Sequence, residues 1–250
     1  MSDALTLEAV TLRYGQRTIL DAMTLAVGPG EIVSLLGRSG SGKTSILRLL
    51  LGFEVPQAGV VRIDGEVATA GGRLHVLPEN RGLAVVFQDM ALWPHLDLLA
   101  QLEFGLEAKG ISKVERRTRS MDMLAQVGLA GREHSYPHQL SGGEQRRVAL
   151  ARALVMRPRA ILFDETLGNL DIVLRAELLK LIREQLARHQ LAALYITHEP
   201  REAAVLGGRV AVLEDGRIVQ TGELEELCSR PAGGFVVRIA KEIILGNKLA

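Results

Sequence analysis

The chain has 250 residues, 47% hydrophobic and 24% charged, a balance that suits a folded globular protein of one large or two small domains. Thirty basic against 29 acidic residues leave a net charge of +1, so there is no polyelectrolyte footprint for nucleic acid and none is expected as a partner. The single cysteine, Cys228, excludes an internal disulfide, and without a membrane-length apolar run or an export signal after Met1 the chain is expected in the cytosol, meeting a membrane only by docking.

Leu5 to Leu12 alternates apolar and polar side chains, the pattern of a half-buried strand, and Tyr14-Gly15 closes it. Tyr14 serves either to stack on an adenine ring or simply to end the strand. Ile19 to Val27 reads as further strand, followed by the turn Gly28-Pro29-Gly30. Glu31 to Leu36 is a short buried strand, Gly37 to Thr44 reads GRSGSGKT, and Ser45 to Leu51 is helical. The motif G-x-x-x-x-G-K-[ST] between a strand and a helix is a phosphate-binding loop. Gly37, Gly40 and Gly42 let the backbone N–H groups converge on a β-phosphate, and the helix start adds partial positive charge. Arg38, Ser39, Ser41 and Ser45 complete the cradle. Lys43 is placed to reach the β- and γ-phosphates, and the Thr44 hydroxyl can ligate Mg²⁺.

Beyond Gly52 and Pro56, Val60 to Ile63 is a strand with Asp64-Gly65 as a hairpin turn. Ala70 to Arg81, rich in glycine and carrying Pro78-Glu-Asn-Arg81, is expected to be loop. Leu83 to Phe87 is a buried strand ending at Gln88. Leu98 to Val127 has helical periodicity, with the charges of Lys113 to Arg119 as a solvated face. Gly142 to Val155 is a helix entered from Ser141. Ala160 to Phe163 is an apolar strand that ends in Asp164-Glu165, placing two carboxylates beside the phosphate loop in an open parallel sheet. There Asp164 would hold Mg²⁺ through water, and Glu165 could polarise an attacking water. Ile172 to His189 is a long amphipathic helix, Ala192 to Thr197 a buried strand ending at His198, and Asp215-Gly216 the turn of a last hairpin. The expected fold is α/β, a P-loop NTPase core with an N-terminal antiparallel β subdomain and an inserted α-helical subdomain. As one domain it would divide into a core of about 1–88 and 156–225, a helical part of about 89–155 and a short helical tail at 226–250.

Leu140-Ser-Gly-Gly-Glu-Gln145 sets a second glycine-lined helix start before an apolar-periodic run, and so a second anion site in one chain. LSGGEQRRVALARAL, together with the phosphate loop, resembles the signature of the ATP-binding-cassette (ABC) ATPases, and the resemblance runs from Tyr14 to Asp215-Gly216. It implies ATP and Mg²⁺ as ligands, with Tyr14 stacking on adenine and Gly37 to Thr44 as the Walker A loop. Gln88 would contact Mg²⁺, Asp164 would end the Walker B strand, and Glu165 and His198 would be catalytic, His198 touching the γ-phosphate. Ser141, Gly142, Gly143 and Asp171 would act across an interface with a second ATPase subunit, expected to be an identical chain docked head to tail.

Pro78-Glu-Asn-Arg81 and Gln88-Asp-Met-Ala-Leu-Trp-Pro-His95 resemble the subunits of importers for sugars, polyamines, ferric iron, sulfate or thiamine. That resemblance implies integral membrane permease subunits, an extracytoplasmic substrate-binding protein, and a place on the cytoplasmic face of the cell membrane. Sugar-type importers of this group usually continue as a regulatory β-domain; none is expected here, so the resemblance points to an ion or small metabolite as the cargo. Trp93 is either a core aromatic or the wall of a groove for a permease helix. Thr166 and Gly168 stand where most such importers have proline and serine. The glycine resembles a subgroup serving lipoprotein export and cell division, which keeps that alternative open.

Overall fold

In the computed structural model, which describes residues 2–168 and 170–247, the period-2 stretches form two sheets. The first is antiparallel: β1 (Leu5–Tyr14) lies between β2 (Arg17–Val27) and β4 (Ala58–Ile63), followed by β5 (Glu66–Ala70) and β6 (Arg73–Leu74). The second contains β3 (Ile32–Gly37) and runs in the order β11 (Arg217–Glu223), β10 (Arg209–Glu214), β3, β9 (Ala192–Thr197), β8 (Ala160–Asp164), β7 (Leu83–Val86). All its neighbours are parallel except the β10–β11 hairpin. Its central strands read as near-continuous apolar runs, broken in β3 only by the buried Ser34, because both faces are covered; every residue of β9 is buried.

One face packs on α1 (Lys43–Leu51), whose Ile46, Leu49 and Leu50 are fully buried against the first sheet. Burying each such side chain contributes about 1.5–3 kcal/mol. The other face, with Phe163 and Tyr195, packs on helices, among them α4 (Gly142–Val155) and α5 (Ile172–His189). Between β7 and β8 the chain makes α2 (Leu98–Ala108) and α3 (Lys113–Gln126), which pack with α4. Parallel register then does the work of positioning. Leu36 pairs with Thr197, Asp164 with Ile196 and Val86 with Phe163, so the chain leaves four strands at one edge, bearing Gly37, Gln88, Glu165 and His198.

Two expectations need correction, and one helix was not expected. Leu98 to Val127 is two helices, because Gly110 turns left-handed (φ 73°) and the Ser112 hydroxyl caps α3 by accepting from Glu115 N–H. Ala70 to Arg81 is not all loop: β6 adds a short edge strand, and Pro78–Asn80 forms a single 3₁₀ turn. A helix absent from the sequence reading, α6 (Pro200–Leu206), begins directly after His198, with Glu199 as N-cap and Pro200 at its first position. The tail forms α7 (Leu224–Ser229) and α8 (Gly234–Asn247), as the expected short helices.

Arg81 is 1% exposed, and the pKa shift imposed on it is downward, caused by burial. Its guanidinium donates to the carbonyls of Leu49 (2.8 Å) and Leu50 (2.7 Å) in the last turn of α1. It also donates to Thr69 Oγ1 (2.6 Å), Ala68 O (3.3 Å) and Val76 O (3.2 Å). It therefore closes the C-terminal end of the helix whose N-terminal end is the phosphate loop.

Candidate functional site

The loop between β3 and α1 owes its shape to its glycines. Gly42 caps α1 with φ 108°, and a Cβ there would meet Leu20 Cδ2 at 2.9 Å. A Cβ on Gly37 would lie 2.9 Å from the Leu213 carbonyl oxygen. No side chain caps α1, which leaves the first-turn N–H groups free for an anion.

An open cleft of about 470 Å³ lies over this helix start, lined by Tyr14, Ser39, Gly40, Gly42, Lys43, Thr44, Ser45, Gln88, Asp164 and Glu165. Arg38 and Ser41 line the adjoining hollow with Ser39 and Gly40. Tyr14 is half exposed, and its hydroxyl donates to Glu54 Oε1 at 2.5 Å, so the ring is tethered at the rim. Lys43 is 5% exposed, and its Nζ donates to Gly37 O (2.8 Å) and Arg38 O (3.0 Å). Glu165 Oε1 lies 3.5 Å from the same nitrogen.

Glu165 sits one residue past β8 in the left-handed region (φ 46°), its N–H held by Ile196 O at 3.0 Å. That conformation is costly for a non-glycine residue and turns the side chain off the strand line into the cleft. His198 Nδ1 lies 3.1 Å from Glu165 Oε2. His198 faces a second cavity of about 280 Å³ that shares Gln88 and Glu165 with the first and continues to Arg175 and Glu202. Burial and the neighbouring Glu165 push the Asp164 carboxyl above its usual pKa, against the pull of Lys43. Two adjacent carboxylates beside one buried lysine are a donor set short of positive charge. With Thr44 and Gln88 on the same wall, this set fits a bound Mg²⁺ as well as the phosphates of a nucleotide.

Ser141, Gly142, Gly143 and Asp171 do not line this cleft. Ser141 caps α4 in a reciprocal box, its hydroxyl accepting from Glu144 N–H while its own N–H donates to Glu144 Oε2 at 2.8 Å. Asp171 caps α5 by accepting from Leu174 N–H at 2.9 Å. Arg146 of α4 holds the turn after β8, donating to Thr166 O (3.0 Å) and Gly168 O (3.1 Å). At Gly168 a Cβ would meet its nearest atoms at 3.7 Å and 3.9 Å, ordinary contact, so the backbone does not demand glycine where importers have serine.

The sequence reading missed several residues here. Arg17 and Ile19 line the cleft opposite Tyr14. The signal was present, since a two-residue Gly15-Gln16 turn must set Arg17 across from Tyr14. Arg146, Arg175 and Glu202 carried no such signal. Trp93 is partly buried, 4.9 Å from the exposed Phe104 ring, with the Arg152 guanidinium 4.9 Å over its face.

Residues 20–168 match the protein family described as ABC transporter. Among curated proteins, the Fe(3+) ions import ATP-binding protein FbpC of Pasteurella multocida is 42% identical over 241 residues, 96% of this chain and 68% of the relative. The protein of that name from Escherichia coli K12 is 41% identical over 92% of this chain and 65% of its own length. That of Brucella melitensis biotype 1 is 43% identical over 93% and 65%. The chain thus spans about two thirds of the length of the curated relatives it matches.

Proposed function

The chain belongs to the ABC transporter family, and from that premise we propose that it is the ATP-hydrolysing subunit that powers a binding-protein-dependent importer of an ion. The observation that carries the catalytic part is the meeting of Lys43, Glu165 and His198 at one edge of the parallel sheet. The free N–H groups of α1 hold the β-phosphate, and Lys43 exchanges its two carbonyl bonds for phosphate oxygens. That exchange also frees Glu165 from the ammonium. Its carboxylate then accepts a proton from the attacking water, while His198 fixes the carboxylate's orientation and faces the γ-phosphate. Mg²⁺, held by Asp164, Thr44 and Gln88, supplies charge neutralisation when bound.

Ser141, Gly142 and Gly143 lie off this cleft, so a second copy docked head to tail would present them to the nucleotide, with Asp171 at the same seam. Among the described residues no helix is long and apolar enough to cross a membrane. The import names of the relatives support integral membrane permease subunits as the partners that the ATPase drives from the cytoplasmic face. An extracytoplasmic binding protein would select the cargo. The relatives named for Fe(3+) import make ferric iron the first cargo to test. Gly168, whose site accepts a Cβ, gives no structural ground for preferring an export or division complex. The test is phosphate release by the purified chain, then iron uptake by cells lacking it. Release that survives Glu165→Gln at the wild-type rate would remove Glu165 as the base, and uptake unchanged in the deletion strain would remove iron.

A further inference from the structure

We propose that Arg152 is a positioning residue that latches the segment just after Gln88 to helix α4, so that Gln88 and the Ser141–Gly143 helix start move as one body; the catalytic consequence rests on the function proposed above, the latch itself on geometry alone. Met90 and Ala91 follow Gln88 with φ of 60° and 45°, two consecutive non-glycine residues in the left-handed region. Such a pair persists only where its surroundings over-determine it. Besides the Met90 N–H bond to Phe87 O (3.0 Å) and the packing of Met90 and Leu92 on the core, one guanidinium holds it. Arg152 Nη1 donates to Ala91 O at 2.6 Å and Nη2 to Met90 O at 2.8 Å, the two prongs of a planar fork on two successive strained carbonyls.

The same guanidinium lies 4.9 Å from the Trp93 ring centroid. Trp93 is itself held by Gln101, which is fully buried: Trp93 N–H donates to Gln101 Oε1 at 3.2 Å, and Gln101 Nε2 donates to Trp93 O at 2.6 Å. Burial disfavours the Arg152 charge, with Asp89 acting the other way. Arg152 stands eleven residues from the Ser141 cap on one unbroken helix, about 16 Å along its axis. A shift of Gln88 is therefore passed along a rigid element to the opposite nucleotide-binding surface.

The latch is tested on the full chain with three variants. Arg152→Met keeps the stem and removes the fork. Arg152→Lys keeps stem and charge but offers a point donor that cannot hold both carbonyls in one plane. Arg152→Met combined with Met90→Gly and Ala91→Gly removes the fork where left-handed backbone is no longer disfavoured. Amide hydrogen exchange at residues 89–93 of the free chain should rise about tenfold in Arg152→Met and about threefold in Arg152→Lys, without a matching rise in the β8 and β9 strands. In steady-state ATP hydrolysis, kcat should fall about tenfold in Arg152→Met while KM for ATP stays within about twofold, because the phosphate loop is untouched. The glycine pair should recover at least about half of the lost kcat, which a packing role for Arg152 would not produce. Unchanged exchange at 89–93 in Arg152→Met would overturn the latch, and so would a kcat loss that the glycines leave in place. A wild-type chain that hydrolyses no ATP would instead overturn the ATPase proposal, with the exchange measurement still deciding the latch.

Discussion

Replacing Arg81 by methionine should destabilise the chain by about 3 kcal/mol, and the figure follows from counting acceptors. The five N–H donors of Arg81 serve four carbonyls and one hydroxyl. Ala68 O also receives the N–H groups of His75 and Val76, and Leu49 O receives that of Gly52, so those two acceptors keep a partner in the variant. Leu50 O and Val76 O have no other donor among the described residues. Each stranded acceptor costs about 1–3 kcal/mol. Losing a cation at the end of α1 adds about 0.3–1 kcal/mol. Against this, methionine lifts the penalty of burying a guanidinium that has no carboxylate partner. For a domain of this size the net loss corresponds to about 6–12 °C in Tm. Urea unfolding should show a lower midpoint with an unchanged slope. Arg81→Lys, with three donors in place of five, should recover part of the loss. A deficit under about 1 kcal/mol would refute the reasoning, because the burial of the guanidinium would then cost what its bonds contribute.

Other perturbations read the site and its supports separately. Lys43→Ala should abolish tight ATP binding, measured by a fluorescent nucleotide analogue, and lower stability by about 1–3 kcal/mol, since Nζ is bonded to the buried carbonyl of Gly37 at the end of β3 as well as to Arg38 O and Glu165. Glu165→Gln should retain ATP and lower kcat by about 10²–10⁴, seen in single-turnover phosphate release. Glu31 behaves differently: burial pushes its carboxyl up, but the Arg209 fork (2.7 Å and 3.0 Å) and the Gly28 N–H (2.7 Å) outweigh burial and hold its pKa below the usual range. The stability it contributes is present above the unfolded value of about 4.3 and lost as pH falls through the lower folded value. Thermal melts from about pH 5 down to pH 2 should therefore be flatter for Glu31→Gln than for wild type; equal slopes would contradict the ion pair's role.

Much of this was legible in the sequence because the signals were local. The helix Gly142–Val155, the helix Ile172–His189 and the strand Ala192–Thr197 fall where periodicity and caps set them. Ten of the expected site residues line one cleft because parallel register forces strand ends together, and strand ends can be read from apolar runs. The departures have physical causes. A proline after Glu199 reads as a break, yet it is also the favoured first residue of a helix, and that is what Pro200 begins. Gly110 and Ser112 were visible stop and start signals inside what looked like one helical stretch. Arg81 was out of reach: nothing in Pro78-Glu-Asn-Arg81 says that a charged side chain will be 1% exposed beneath a helix 30 residues earlier. Arg146 and Arg152 were hidden in the same way, since their partners are carbonyls of loops whose paths no local pattern fixes.

If one nucleotide is held by Lys43 of one chain and capped by Ser141 of another, two variants that are each inactive should complement one another when mixed. Lys43→Ala lacks the phosphate lysine, and Ser141→Arg blocks the opposite helix start. In a mixed dimer one of the two sites has both groups intact, so an equimolar mixture should recover about a quarter of wild-type ATP hydrolysis while each variant alone stays inactive. A mixture that remains inactive, although both chains fold and the Ser141→Arg chain still binds nucleotide, would contradict a site shared between two copies.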